Sequence, residues 1–221
     1  MSTAMIDHPE LKEMTPAPSQ EAVVVKRRTI DSVLIGFGIV ATVAFAVAGA
    51  LLTWGHNFAN DYVSRELGSQ HVAFPPAAAL TEEGRTDLVK WADHKVDTGK
   101  EAQAYASFIN GHLAKIANGA TYADLGAPES AAKADVKAAV DAGKPQATIT
   151  ELQAKADGIT AQRNTLFKGE TLRGLLLSAY AWSTVGMIAG FAALGAWLAA
   201  AVMAVLVVLG FIHHRKAVKT A

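Results

Sequence analysis

Two long apolar runs divide the chain, with 120 residues of mixed polar sequence between them. The first run, Val33 to Trp54, has no charged side chain over 22 residues, and a helix of that length crosses the roughly 30 Å hydrocarbon core of a bilayer. A secretory signal peptide is the competing interpretation, because AVAGA at 46–50 has small residues at cleavage-site spacing. Since signal-peptide cores run only about 7 to 15 residues, we favour an uncleaved transmembrane helix at residues 31–54.

The second run, Leu175 to Ile212, has 38 residues without Asp, Glu, Lys or Arg. As one helix it would measure about 57 Å, more than a single crossing requires. Either one helix crosses once and projects its first part out of the lipid, or two short spans form a hairpin around residues 190–195. In the first case residues 175–212 comprise an interfacial segment followed by a crossing near Gly186 to Phe211.

Positive flanks decide between these alternatives, because loops rich in Lys and Arg stay in the cytoplasm. Basic residues precede the first run and follow the second, so both termini are expected to be cytoplasmic and the number of crossings even. We therefore expect a single crossing by the second run, in the cell inner (plasma) membrane. The residues that act as topology anchors are Lys26, Arg27, Arg28, Arg215 and Lys216.

The intervening residues 55–174 predict an extracytoplasmic helical domain, because Ala is abundant and β-branched runs are nearly absent. The first helix can continue past Trp54 until Phe74-Pro75-Pro76 forces an extended path. The fold class is thus an all-α membrane protein in which two transmembrane helices flank this domain and the second is long and continuous with it. Residues 1–30 are a disordered cytoplasmic leader, with few large apolar residues, and residues 213–221 form a basic cytoplasmic tail.

Four helices are expected inside the domain. Thr81 resembles an N-cap with two acidic residues in the first turn, and this helix ends by Gly99. A second helix covers 100–117 and stops at the turn-forming pair 118–119. A third runs from 128 to 142 and is closed by 143–145. A fourth begins at Thr148 or Thr150, and its apolar residues recur at three, four or seven positions on into the membrane.

Small residues mark one face of each span, which permits close approach between transmembrane helices. Packing of the two spans on each other competes evenly with homodimerisation and with docking to another membrane subunit. Neither apolar run contains an Asp, Glu, Lys or Arg, which argues against an ion or substrate pathway. The helix-packing candidates are Gly36, Ala46, Ala50, Gly186 and Gly190.

Charge and cysteine content exclude several function classes. Twenty basic residues balance 20 acidic ones, so the chain lacks the basic excess that nucleic-acid binding requires, and we expect no nucleic-acid partner. The chain has no cysteine, which excludes disulfides, thiol catalysis and cysteine-ligated metals.

Two short motifs carry a resemblance to a known family. The run AYASFINGH at 104–112, followed by NGATYADL at 118–125, resembles a family of small actinobacterial two-span membrane proteins often named "aromatic ring-opening dioxygenase". Ala120 stands where that family has lysine, and Asp124 where it has glutamate. The resemblance implies a span, an external helical segment and a second span, without an assigned reaction. The residues that match the family motif are Tyr105, His112, Thr121, Tyr122 and Leu125.

The family name calls for ferrous iron held by two histidines and a carboxylate. The histidines of the segment between the spans are His56, His71, His94 and His112. Nearby in sequence are Asp93 and Asp97 for His94, and Glu101 for His112, but none has the spacing of a helical metal motif. We therefore predict no catalytic, cofactor-binding or metal site, and we expect His112 to be a packed or hydrogen-bonded side chain.

Three aromatic residues near the motif offer a possible pocket for a quinone or a lipid. Tyr105, Phe108 and Tyr122 lie at helical spacing, where aromatics belong to a core more often than to a ligand wall. We therefore interpret them as core residues.

These observations favour a non-enzymatic integral membrane protein. We expect a structural or accessory component of an envelope or respiratory assembly, with the lipid bilayer and either other membrane subunits or a second copy as partners. An extracytoplasmic sensor or ligand-binding module is the alternative, and an iron-dependent ring-opening dioxygenase is a lesser one.

Overall fold

The computed structural model describes the backbone of residues 27–219 and the side chains of residues 29–215. Over this part the chain is helical, apart from turns and one isolated antiparallel bridge between Ala73 and Lys95. The all-helical prediction is thereby confirmed. The elements in order are α1 (Arg27–Gly68), α2 (Ala77–Glu82), a 3₁₀ helix (Thr86–Trp91), α3 (Gly99–Ile116), α4 (Gly126–Asp141) and α5 (Gln146–Lys219).

Helices α1 and α5 are long and apolar enough to cross a membrane, judged by length and composition. Their most apolar 18-residue windows have mean hydropathies of 2.3 and 2.5. Only 11% of each window is buried inside the molecule, whereas the core helix of a soluble protein would be mostly covered. The expected disordered leader lies outside the described residues over positions 1–26, and its last four residues, 27–30, are instead helical because α1 begins at Arg27.

Helix α5 is a single element of 74 residues, about 111 Å long at 1.5 Å per residue. It runs without interruption through Gly158, Gly169 and Gly174, so the predicted continuity between the domain and the second span is confirmed. The helix begins at Gln146, slightly before the expected threonines. A tight turn with Gly143 in the left-handed region (φ 59°) reverses the chain from α4 into α5, as the sequence pattern predicted.

Three helices pack in succession along α5. Its first part pairs with α4, and we call this helical hairpin, residues 126–168, the arm. Its middle part pairs with α3, which runs antiparallel to it: Gly99 meets Ser183, and Leu113 meets Gly169. Its last part pairs with α1. We call residues 69–125 the head, which therefore lies between the arm and the apolar helix pair.

The head has two small cores. Leu80 and Val96 are almost fully buried in the first, beneath Phe74 and Phe108. The second joins Leu113 and Ala117 of the α3 end to Leu166 of α5. A reciprocal capping box fixes the start of α3, where the Thr98 hydroxyl accepts from the Glu101 amide and the Glu101 carboxylate accepts from the Thr98 amide.

The helix predicted from Thr81 to Gly99 is wrong. Helix α2 begins after Pro76 and includes Thr81, whose hydroxyl donates to the Ala77 carbonyl instead of capping a helix. Gly84 then adopts a φ of 76°, a left-handed conformation that ends the α-helix. A separate 3₁₀ helix follows, so the segment is two short elements. Helices α3 and α4 lie within two residues of their expected bounds.

Candidate functional site

Glycines on both long helices allow α1 and α5 to approach closely. A methyl group on Gly38 would lie 2.7 Å from Cγ2 of Val207, and one on Gly49 would lie 3.0 Å from the Trp197 ring. Real Cβ contacts are essentially never under 3.0 Å. The close approach of the two helices therefore requires residues without a side chain at these positions, as in other small-residue helix pairs.

Some of the predicted helix-packing residues lie at the contact between α1 and α5, and others lie on the exposed surface. Gly186 and Gly190 face α1, where a methyl group on either would lie within 3 Å of Ala59 or His56. Gly36 has no atom within 4 Å of such a methyl group. Ala46 is half-buried, and Ala50 is exposed.

Sequence reasoning missed the buried glycines of α1, Gly38 and Gly49. The sequence signal for them is the recurrence of small or polar residues every three or four positions, as in a coiled-coil seam. Along α1 this series is Gly38, Thr42, Ala46, Gly49, Thr53, His56 and Asn60, all half-buried or buried.

A polar layer crosses the helix pair at the end nearest the head. Nδ1 of His56 donates to the Gly186 carbonyl at 2.7 Å, because a carbonyl oxygen can only accept. The Asn60 amide nitrogen lies 3.3 Å from Nε2 of the same ring. One turn deeper, Nε1 of Trp197 donates to the Thr53 hydroxyl at 3.2 Å. The absence of a side chain at Gly190 leaves room for the imidazole. His56 therefore fixes the position of α5 along α1.

An aromatic ladder lies on the outer side of α1 at the same level. Trp54 stacks on Phe58 with ring centroids 5.5 Å apart, and Phe58 stacks on Tyr62 at 6.2 Å. All three side chains are exposed. Amphipathic aromatic side chains favour the membrane–water interface, and this ladder spans about 12 Å of helix from the apolar run toward the head.

Above the ladder, a groove of about 650 Å³ opens between α1, α3 and α5. Its walls are mainly apolar, and one charged side chain, Glu66, contributes to them within the described residues. The volume lies in the range of about 300 to 1,000 Å³ that ligand pockets occupy. The lining residues are Tyr62, Val63, Glu66, Leu67, Gln70, Val72, Val96, Tyr105, Ile109, Leu172, Leu175, Leu176, Ser178, Ala179 and Trp182.

The three aromatics interpreted as core residues have different surroundings. Phe108 belongs to the head core. Tyr105 packs against that core and also lines the groove, so the core interpretation describes only part of its environment. Tyr122 lies away from both, exposed beneath the Arg163 guanidinium, whose carbon is 4.1 Å from the ring centroid.

Two histidines of the head, His94 and His112, form pairs that the sequence pattern did not predict. His94 lies 3.5 Å from Glu101, and His112 lies 3.1 Å from Glu83. The expected sequence neighbours were Asp93 and Asp97 for His94, and Glu101 for His112. The partners differ from the expected ones for two reasons. The Glu101 side chain turns back to cap the start of α3, which brings it to His94. Glu83 follows the last residue of α2 and lies beside His112. Among the described residues, no three His, Asp or Glu side chains come together as metal ligands would.

The remaining family-motif residues lie in the turn before α4. The Thr121 amide and hydroxyl both donate to the Asp124 carboxylate at 2.8 Å, which lowers the pKa of Asp124. Leu125 precedes α4 and packs on the second core. Tyr105 and His112 lie instead on α3, so the motif stabilises two parts of the head without forming one site.

Glu129 joins the two helices of the arm. Its side chain is 9% exposed and accepts hydrogen bonds from Lys133 at 2.6 Å, Thr160 at 2.8 Å and Arg163 at 2.7 Å. These bonds, with that from Lys133 contributing most, lower the pKa of Glu129 to about 2. The contact between the two helices was not predictable from the sequence, because the partners of Glu129 on α5 are 31 and 34 residues away.

Of the topology anchors, the side chain of Arg215 is described, and it is exposed on α5. Lys26 lies outside the described residues, as do the side chains of Arg27, Arg28 and Lys216. Comparisons with protein-family models, curated proteins and solved structures found no match.

Proposed function

We propose that the protein is a non-enzymatic, two-span membrane protein that serves as a structural or accessory component of a membrane assembly. In this proposal α1 and α5 cross the plasma membrane, and the basic flanks hold both termini in the cytoplasm. The head and the arm then lie on the extracytoplasmic side. The observation that carries the proposal is the unbroken α5, which joins the apolar span, the head and the arm in one element.

Because α5 is continuous, it holds the tip of the arm far from the membrane span. From Gly186 to Gln146 is 40 residues of helix, which places the arm tip about 60 Å beyond the start of the crossing. Near the base of the arm, Glu129 of α4 is bound to Thr160 and Arg163 of α5. Such a construction suits a protein that presents a binding surface at a fixed height above a bilayer.

The arm also carries exposed apolar side chains suited to protein contact. Val140 is 53% exposed near the tip, and Ile116 and Phe167 are exposed where the arm meets the head. Aromatic and aliphatic side chains of this kind are typical of contact surfaces. The partner is another membrane subunit or a second copy of the chain.

Site-specific photo-crosslinking in intact membranes tests this proposal. A photoreactive amino acid at Val140 should give a discrete protein adduct, either with a second copy or with another subunit. The matched position is Leu194, equally exposed but in the apolar part of α5, where adducts should be mainly with lipid. A second photoreactive position at Ala147, exposed at the tip of the arm, extends the test. The proposal fails if Val140 and Ala147 both give no protein adduct and gentle solubilisation releases the chain as a single monomer.

The groove favours a second candidate function, that of an extracytoplasmic ligand-binding module. Its volume and apolar walls are those of a ligand site, and it lies beside the proposed membrane surface.

A further inference from the structure

The apolar surface of α5 continues well past the level at which α1 becomes polar. On α1 the uncharged apolar run ends at Trp54, which lies at the level of residues 190–197 because Gly49 and Thr53 contact Trp197 and His56 contacts Gly190. The apolar run of α5 continues about 15 residues further, to Leu175. Leu175 is 64% exposed, so the head does not cover this surface.

The groove connects this surface with the lipid-facing side of the helix pair. Tyr62 is both the last ring of the aromatic ladder and a wall of the groove. Trp182 of α5 lines the same groove and is 50% exposed. A hydrocarbon chain can thus run from the bilayer along the ladder into the groove over apolar side chains.

Polar groups of the groove indicate what the other end of such a molecule would be. Tyr105 and Ser178 line the groove, and neither hydroxyl has a hydrogen-bond partner among the described residues. Burial raises the pKa of Tyr105, so its hydroxyl stays protonated and can donate. The charged side chain of the lining is Glu66, which disfavours an anionic headgroup.

We propose that the groove binds a neutral membrane amphiphile, with its long hydrocarbon chain leading back along Trp54, Phe58 and Tyr62 into the bilayer and its hydroxyl or carbonyl group bound by Tyr105 and Ser178. Burial of apolar surface holds the hydrocarbon chain of the amphiphile. The hydroxyl groups of Tyr105 and Ser178, next to the Glu66 carboxylate, favour an uncharged polar group over an anionic one. The inference rests on the proposed insertion of α1 and α5 into the membrane, and not on the proposed protein partner.

The test uses a diacylglycerol that carries a diazirine in its acyl chain, incorporated into lipid nanodiscs with the full-length protein. After illumination, adducts are mapped on tryptic peptides. Peptide Glu101–Lys115 contains the groove residues Tyr105 and Ile109 of α3 and no residue of the apolar helices. Adducts on this peptide therefore report a lipid acyl chain inside the groove. Adducts on residues 33–54 report only that α1 is inserted in the bilayer.

Three variants sharpen the test. Ser178→Trp fills the groove from an exposed position and should lower labelling of the Glu101–Lys115 peptide about fivefold or more. Ala181→Trp, exposed on the same helix outside the groove, should leave that labelling unchanged. Tyr105→Phe removes one hydrogen bond and should lower labelling about two- to tenfold without changing the label on residues 33–54.

A phosphatidylglycerol with the same photoreactive chain is the comparison lipid, and it should label the Glu101–Lys115 peptide at least severalfold less. The proposal is overturned if residues 33–54 are labelled while this peptide is not, if both lipids label it equally, or if Ser178→Trp has no effect. Cross-linking of two copies through a cysteine at Leu175, with no lipid adduct, would show that a second chain covers the groove. Absence of label on residues 33–54 would instead refute membrane insertion.

Discussion

Leu113 joins the end of α3 to α5, and its truncation should loosen the contact between these two segments. The side chain is 6% exposed and packs on Leu166 and Ala117. Leu→Ala substitutions in cores cost about 2 to 5 kcal/mol, and more where the cavity cannot collapse. Gly169 forms the facing wall and has no side chain to move into the space. We therefore expect Leu113→Ala to cost about 3 kcal/mol or more.

Hydrogen exchange measured by mass spectrometry in nanodiscs is the assay. A loss of about 3 kcal/mol corresponds to roughly a hundredfold faster exchange through local opening. This acceleration should be confined to residues 106–117 and 162–172, with residues 190–205 unchanged. Ile116→Ala is the matched control on the same helix, because its side chain is 45% exposed and its truncation should change exchange less than about threefold.

Equal exchange in the wild-type protein and in Leu113→Ala would refute the reasoning, because the second core would then contribute nothing to holding α3 on α5. Acceleration in Ile116→Ala as large as in Leu113→Ala would show that any truncation near the end of α3 frays it, independently of burial.

Three further perturbations test other contacts. Glu129 has a folded-state pKa of about 2 against an ordinary value of 4.5. Its contribution to the stability of the arm should therefore be complete above pH 4.5 and be lost as the pH falls toward 2. Hydrogen exchange of α4 measured against pH should show this loss, and Glu129→Gln should remove the pH dependence. Gly190→Leu should force α1 and α5 apart at a cost of about 1 to 3 kcal/mol, measured as a lower thermal transition in detergent, whereas Gly36→Leu, which faces open space, should have little effect. Thr98→Ala removes the α3 capping box and should cost about 0.5 to 2 kcal/mol, visible as faster exchange confined to the first turn of α3.

The fold was predictable wherever a local pattern determines local structure. Two uncharged runs, an alanine-rich segment between them and the turns at Asn118-Gly119 and Gly143 were enough to predict α1, α3, α4 and the continuity of α5. The Thr81 helix failed because a favourable cap sequence competed with Pro76, which begins the helix earlier, and with Gly84, which ends it.

The candidate site was less predictable, since it depends on contacts between distant segments. Residues that line the groove come from α1, α3, α5 and the bridge region, and no short motif brings them together. Gly186 and Gly190 were found from their spacing, but which face of α1 they meet depends on helix phase, so Gly38 and Gly49 were missed and Gly36 was chosen. Only the register fixed by His56 and Trp197 aligns the two faces.

The central claim, that α1 and α5 cross the membrane and place the arm opposite both termini, is tested most directly by cysteine accessibility. The chain has no cysteine, so a single introduced residue reports without background. We predict that a membrane-impermeant maleimide labels Ala147→Cys on intact spheroplasts and labels Ser19→Cys only after the membrane is permeabilised. Labelling of both positions on intact spheroplasts, or of Ser19→Cys alone, would contradict the claim.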